Sequence, residues 1–429
     1  MILAPTLLLN AGSGAAIARP TFSRDFAGEK TLNNGTGPAI SFTRASNATF
    51  FDANGTLQTA SNDAPRFDHS GGSSLGLLIE ESRTNSIRNS QAGGSTNGVI
   101  GSGGAVPTNW SAASSTGVDI EIVGIGTVSG FAYVDIKFSG TSTQAGSVNG
   151  VVRFEQNTQI AASAAQTWTG SCYIGLIAGS SANLSNIALS TIERNAAGSL
   201  LQRTSSTTIT GATLTRYSAT RTLTDATTAH VQNQIELFGI DNGDPIDLTL
   251  RIAAPQLEQG AFPTSYIPTT TAAATRATDV ADITSISSFY NQAEGTLFAE
   301  GVIRKNTDGT PLLFDDTTQD EVVRLSVLSN GIPSLVVVDG GVSQASIGIG
   351  SAITAPFTYK LAGAAKQDDF QAALNGALGT ADTSGTMPTL TRLRLGRRLA
   401  ATGVYSGTIA KIAYYPRRLS NSLLQQLTT

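Results

Sequence analysis

The chain has 429 residues, long enough for roughly two to four domains with cores of their own, which excludes a miniprotein held together by disulfides. Charged residues make up 14% against a globular norm of about 25%, and Ser, Thr, Asn and Gly supply the missing polarity; the 40% hydrophobic content still allows the chain to fold. A net charge of -4 gives no long-range attraction to phosphate backbones or anionic headgroups, so neither nucleic-acid binding nor membrane insertion is expected.

In chain order, the opening MILAPTLLLNAGSG is apolar but lacks a basic flank, and Pro5 interrupts it, so it reads as an extended docking arm rather than a signal peptide. Residues 1–92 are loop-rich and are expected to form an attachment and oligomerisation module. From 93 to 268 short strands follow one another: Val118–Val123 (VDIEIV), Phe131–Phe138 (FAYVDIKF), Cys172–Ile177 (CYIGLI), Gln234–Phe238 (QIELF) and Leu248–Ile252 (LTLRI). Gly, Asn, Ser and Thr clusters separate them, a spacing that suits a jelly-roll sandwich better than βαβ units. Residues 269–280, with TTTAAATRATD, are too small-residued for a core and read as a linker. The last segment, 281–429, repeats the sandwich style with Thr296–Ile303, Leu335–Val338, Ser346–Ile349, Leu393–Leu395 and Gly407–Tyr414. Ser420 then caps a short C-terminal helix, SNSLLQQL, with Leu423, Leu424 and Leu427 on one face. The fold class is all-β, with two antiparallel sandwiches.

The chemistry-bearing residues are few. One cysteine, Cys172, sits in an apolar strand as a buried thiol would, and with only His69 and His230 a His/Cys zinc site is nearly excluded by count. No G-x-S-x-G elbow, P-loop or dinucleotide fingerprint is present. Asp119 and Glu121 share one strand face and are the best carboxylate pair for glycoside hydrolysis, although acids alternating on a solvent face give the same pattern. No cofactor is expected; Asp315, Asp316 and Asp320 in LLFDDTTQDE are the weak candidates for Ca2+, without the spaced pattern of a calcium loop. No enzymatic activity is expected. Trp110, Trp168, Tyr173 and Tyr405 are possible sugar-stacking rings, each weighed against a place in a core.

Three motifs say more. Ser41–Gln58 (SFTRASNATFFDANGTLQ), Ala64–His69 (APRFDH) and Leu75–Asn85 (LGLLIEESRTN) together resemble the recurrent amino-terminal module of bacteriophage head-spike, fibre and tail proteins. Pro255–Pro268 (PQLEQGAFPTSYIP) followed by Thr275–Asp279 (TRATD) is similar to the end of the carbohydrate-binding-like jelly roll of those proteins. Residues 409–427, with AYYPRRLSNSLLQQL, look like the last strand and helix of a laminin-G or concanavalin-like sandwich.

The resemblance implies a virion structural protein displayed on the particle and made in the bacterial host cytoplasm. Its partners would be capsid, portal-neck or tail subunits, further copies of itself, as a trimer, and host surface polysaccharide. A connector or decoration protein without receptor binding is the alternative, and a glycan depolymerase using Asp119 and Glu121, or an acid pair formed across strands, a third. In the first module Arg44, Arg66, Arg83 and Arg88 alternate with acids that include Glu80 and Glu81. Guanidinium forks of this kind suit interfaces, so these residues are expected to contact other virion subunits.

Overall fold

The computed structural model describes residues 19–398 and 403–429, and the opening segment expected to be a docking arm lies outside them. The chain is nearly all β, with two short helices among the described residues, Phe26–Glu29 and Asn421–Thr428. It forms two compact units whose boundaries differ from those expected. One is Arg83–Arg276; the other joins the chain up to Ser82 with Ala277–Thr429.

The unit Arg83–Arg276 is a sandwich. A six-stranded sheet runs in the order Thr215–Thr222, Thr167–Ser180, Pro245–Gln259, Phe131–Thr141, Val118–Val128 and Gly98–Val99. A five-stranded sheet runs Leu200–Ser205, Asn186–Asn195, Thr228–Ile240, Val148–Arg153 and Ser111–Ala113. Alternation along the strands separates core from surface. Ile120, Ile122, Val134, Ile136, Cys172, Ile174, Leu250 and Ile252 meet Ile187, Leu189, Ile235 and Leu237 in one buried core. The intervening positions of both sheets point the other way and are mostly polar.

In the other unit, an eight-stranded sheet has Glu294–Ile303 and Gly407–Tyr415 at its centre, and a seven-stranded sheet contains Gly309–Asp315, Val322–Val327 and Pro333–Asp339. Phe22–Asp25, Phe67–Ser70 and Ser73–Ile79 belong to the eight-stranded sheet, and Ser41–Thr43 to the seven-stranded one. The amino-terminal segment is therefore not a body of its own: it supplies strands to the carboxy-terminal sandwich, with Leu77 opposite Ile409 and Phe22 opposite Tyr414. Each buried Leu, Ile or Phe gains about 1.5–3 kcal/mol from leaving water, and this segment buries Phe22, Phe26, Leu77 and Ile79 in the shared core. The C-terminal helix starts where expected, the Ser420 hydroxyl accepting from the Leu423 N–H at 3.4 Å, with Leu424 packed on Ala362, Ala364 and Ala373.

The segment expected to be a linker is exposed at 270–273 and held at both ends. Thr269 is buried and its hydroxyl donates to the Ile87 carbonyl at 2.6 Å. Ala274–Arg276 pairs with Arg83–Asn85, and the buried Arg276 donates to the Thr264 and Ser265 hydroxyls.

Candidate functional site

The motif residues of the amino-terminal segment converge, but inward. Arg44 donates to Asp279 at 3.1 Å, and Arg66 donates to Glu80 at 2.9 Å and to Asp279 at 2.6 Å. All four side chains have 0% exposure. Asp279 also accepts from the Glu80 N–H, and Arg66 donates to the Thr49 carbonyl. The FTRAS, PRFD, LLIEE and TRATD motifs thus each place one charge in a neutral, buried cluster.

The expectation that Arg44, Arg66 and Glu80 face other subunits is corrected: their forks are occupied within the chain, and breaking them would leave charge buried. Glu81 lies 3.7 Å from Lys305. Arg83 stacks over the Phe262 ring at 5.0 Å, and Arg88 forks onto Glu155 through Nε and Nη2, at 3.1 and 2.8 Å.

The aromatic candidates are corrected in the same way. Trp110 and Trp168 are 4% and 7% exposed and Tyr405 is fully buried, so none of the three presents a ring face to a sugar. Trp110 donates to the Asn89 carbonyl at 2.9 Å and packs edge-on against Phe154. Trp168 donates to Gln166 at 3.0 Å. The Tyr405 hydroxyl reaches the Val302 and Thr408 carbonyls, both at 2.9 Å, and burial pushes its pKa well up. Tyr173, by contrast, is half-buried on an outward face.

Asp315 is buried and its carboxylate pairs with Arg392 and Arg394, each at 2.7 Å. Asp316 turns its own loop through the Thr318 N–H and hydroxyl, and Asp320 is exposed. Among the described residues no group of three or more His, Cys, Asp or Glu could hold a metal. Asp119 is exposed opposite Ser139, and Glu121 stands opposite Lys137. His69 and His230 each meet a carbonyl through Nδ1, from Phe51 at 3.0 Å and Asn195 at 3.2 Å. Burial pushes the Cys172 thiol up, as befits an inert core cysteine.

The surface feature sequence reasoning missed is the outer face of the six-stranded sheet. Register places Gly126, Tyr133, Ala253, Tyr173 and Arg216 in one row across five strands. Gly124, Asp135, Arg251 and Gly175 form the next row, and Glu121, Lys137 and Thr249 the one after. Two strand spacings, roughly 9–10 Å, separate the backbones carrying the two tyrosines.

Arg251 stacks over Tyr133 at 3.9 Å and forks onto Asp135 with two bonds of 2.8 Å; the carboxylate beside it holds the guanidinium protonated above its ordinary range. Arg216 lies over the Tyr173 ring at 5.7 Å and donates to Ser171. The glycines are a condition of this surface. A Cβ at Gly124 would come 2.6 Å from an Asp135 oxygen, and one at Gly126 would come 2.8 Å from the Tyr133 hydroxyl. Their absence lets Tyr133 and Asp135 lean across the neighbouring strand. The result is a face on which Tyr133, Tyr173, Arg216 and Arg251 are half-buried and Ala253, Asp135 and Thr249 are buried, with Tyr173 packed on Phe131 at 4.4 Å; its partly exposed rings and guanidinium planes can stack on apolar ring faces and bond hydroxyl groups.

Geometry defines the chain as an all-β, sandwich-built protein with a polar and aromatic sheet face. No protein-family model and no curated protein matches its sequence. Among solved structures it is similar to the N-terminal CBM22-1-CBM22-2 tandem domain of Paenibacillus barcinonensis Xyn10C, with 8% identity, TM-score 0.24, and coverage of 75% of this chain and 99% of that one. Domains LG4-5 of the mouse laminin alpha1 chain give 11% identity and TM-score 0.25 over 65% and 94%. Trypanosoma rangeli sialidase gives 9% identity and TM-score 0.26 over 91% and 98%. Scores this low carry no argument about activity.

Proposed function

We propose that this chain is a non-enzymatic glycan-binding subunit, and that it serves on a bacteriophage particle as a spike or fibre component adhering to host surface polysaccharide. The observation that carries the binding role is the row of Tyr133, Ala253 and Tyr173, flanked by Arg251 and Arg216 on the outer face of the Arg83–Arg276 sandwich. Sugar binding needs ring faces for stacking and fixed polar groups for hydroxyls, and this row offers both on rigid strands. Affinity of one shallow site is weak, and display of several copies on a particle strengthens it without new contacts.

The virion assignment rests on the three sequence motifs. Their residues Arg44, Arg66, Glu80 and Asp279 meet in one cluster, which gives those motifs a folding role. Display at the virion surface and assembly into a homotrimer belong to the same proposal.

The test is binding of labelled full-length protein to host cells, with and without competing surface polysaccharide. Saturable binding that polysaccharide displaces, that weakens at least tenfold on Tyr133→Ala and that releases no sugar is the expected result. Absence of binding by the assembled protein would overturn the reading in favour of a connector or decoration role, and sugar release lost on substitution of Asp119 or Glu121 would favour a depolymerase.

A further inference from the structure

The outer face of the five-stranded sheet carries a second, chemically different feature. Alternation on Thr228–Ile240 turns Gln232, Gln234 and Glu236 outward, and register sets Arg194 opposite His230, Arg203 beside Ile192 and Arg153 opposite Gln234. Arg203 donates to Glu236 Oε1 at 2.6 Å. Arg194 is buried yet meets neutral acceptors: Gln232 Oε1 at 2.8 Å, the Gly198 carbonyl at 2.9 Å and Gln234 Oε1 at 3.5 Å. Its pKa is drawn down to about 10, first by burial and then by the neighbouring Arg153. Three guanidinium groups therefore share one carboxylate, leaving a formal excess of two positive charges.

Two polar groups in this cluster have unused capacity. Glu236 is 3% exposed, and its Oε2 is buried without a hydrogen-bond partner among the described residues. Arg153 is half-buried, and its buried Nε is likewise without one. Buried polar atoms are nearly always bonded, so the unused carboxylate oxygen of Glu236, in a cationic surround, marks a place for a ligand's donor. A ligand that fits must bring negative charge for the guanidinium forks and a hydroxyl for Glu236 Oε2. Phosphate near neutral pH also carries a hydroxyl, but as a dianion it is repelled by Glu236 more than a singly charged carboxylate is.

We infer that the cluster of Arg153, Arg194, Arg203 and Glu236 binds a carboxylate-bearing sugar residue, the carboxylate taken by the arginines and a ring hydroxyl donated to Glu236. The inference rests on the glycan-binding reading for the identity of the ligand and uses a different sheet face, so the two can fail separately.

The test is calorimetric titration of full-length protein with oligosaccharides ending in glucuronate, galacturonate or N-acetylneuraminate, their carboxyl-reduced counterparts, and inorganic phosphate. Binding of at least one acidic sugar, at least tenfold tighter than its carboxyl-reduced form and than phosphate, is expected. Arg153→Ala should weaken that binding tenfold or more while melting as the parent does, since the Arg153 side chain makes no hydrogen bond or ion pair among the described residues; Glu236→Gln, which keeps the shape, should weaken it too. Val342→Ala, an exposed position in the other unit, is the control and should leave acidic-sugar binding unchanged. An adventitious phosphate-type site, with phosphate bound as tightly as any sugar, would overturn the inference, as would acidic-sugar binding unchanged by Arg153→Ala. Failure of every acidic sugar while host polysaccharide still binds would overturn the inference and leave the glycan reading standing; failure of both would overturn both.

Discussion

Substituting Asp279 by Asn is the sharpest test of how the amino-terminal motifs act. Asp279 pairs with Arg44 and Arg66 at zero exposure, and with Glu80 it balances their two charges. Asn keeps the shape and removes one negative charge, leaving an uncompensated cation in the interior. Breaking a buried pair in this way costs about 3–5 kcal/mol; Arg44 loses the carboxylate at 3.1 Å while Arg66 keeps Glu80. Against a total of about 5–15 kcal/mol this is about a fifth or more of the stability. Both tryptophans, Trp110 and Trp168, lie in the unit Arg83–Arg276, so their fluorescence reports that unit while far-ultraviolet circular dichroism reports both. In a denaturant titration D279N should move part of the dichroism transition to lower denaturant and leave the tryptophan midpoint in place. Replacing all four charged residues by apolar ones of similar size should cost far less than D279N. An unchanged dichroism midpoint in D279N would refute the reasoning.

Other outcomes follow from the same contacts. Trp110→Ala should destabilise its unit by about 3–5 kcal/mol in thermal melts, and a neutral effect would contradict its placement beside Phe154. Tyr405→Phe removes a donor shared by two buried carbonyls and should cost about 1–3 kcal/mol. Burial pushes the Glu193 carboxyl up, but bonds from Thr228, the Asp225 N–H and Arg221 outweigh it and hold the group below the ordinary carboxylate range. Its stabilisation is therefore complete above the unfolded value of about 4.3 and is lost as pH falls through the folded one. Glu193→Gln should flatten the acid limb of the tryptophan-detected stability curve; parallel curves for the variant and the parent would contradict this. Gly124→Ala should push Asp135 from Arg251 and weaken glycan binding without unfolding the sandwich, whereas unchanged binding would show that this fork is not part of the surface.

Much of the sandwich was legible because strand alternation is local. FAYVDIKF and QIELF each carry their core face and their polar face in plain sequence, and both lie in strands as expected. The same parity puts Trp168 with Cys172 and Ile174, all buried, and Tyr173 on the opposite face, so the two aromatics could have been told apart from TWTGSCYIGL by extending the alternation back from Cys172 to Trp168. Trp110 lies outside any strand and gave no such signal. The division into units was not legible, since the pairing of Ser73–Ile79 with Gly407–Tyr415 joins strands more than 300 residues apart and no local pattern names a distant partner. Charges in a loop-rich segment look like surface, and Arg44, Arg66, Glu80 and Asp279 are buried only because all four arrive together. Arg153, Arg194 and Arg203 were hidden for a related reason: three strands and their register bring them together.

The most direct test of the central claim is hydrogen exchange on full-length protein with and without host surface polysaccharide. Binding through the Arg83–Arg276 sandwich predicts added protection in Phe131–Thr141 and Pro245–Gln259, and in Val148–Arg153 and Thr228–Ile240 when the sugar is acidic. Protection confined to the Ala277–Thr429 segment, or to none of the chain, would contradict it.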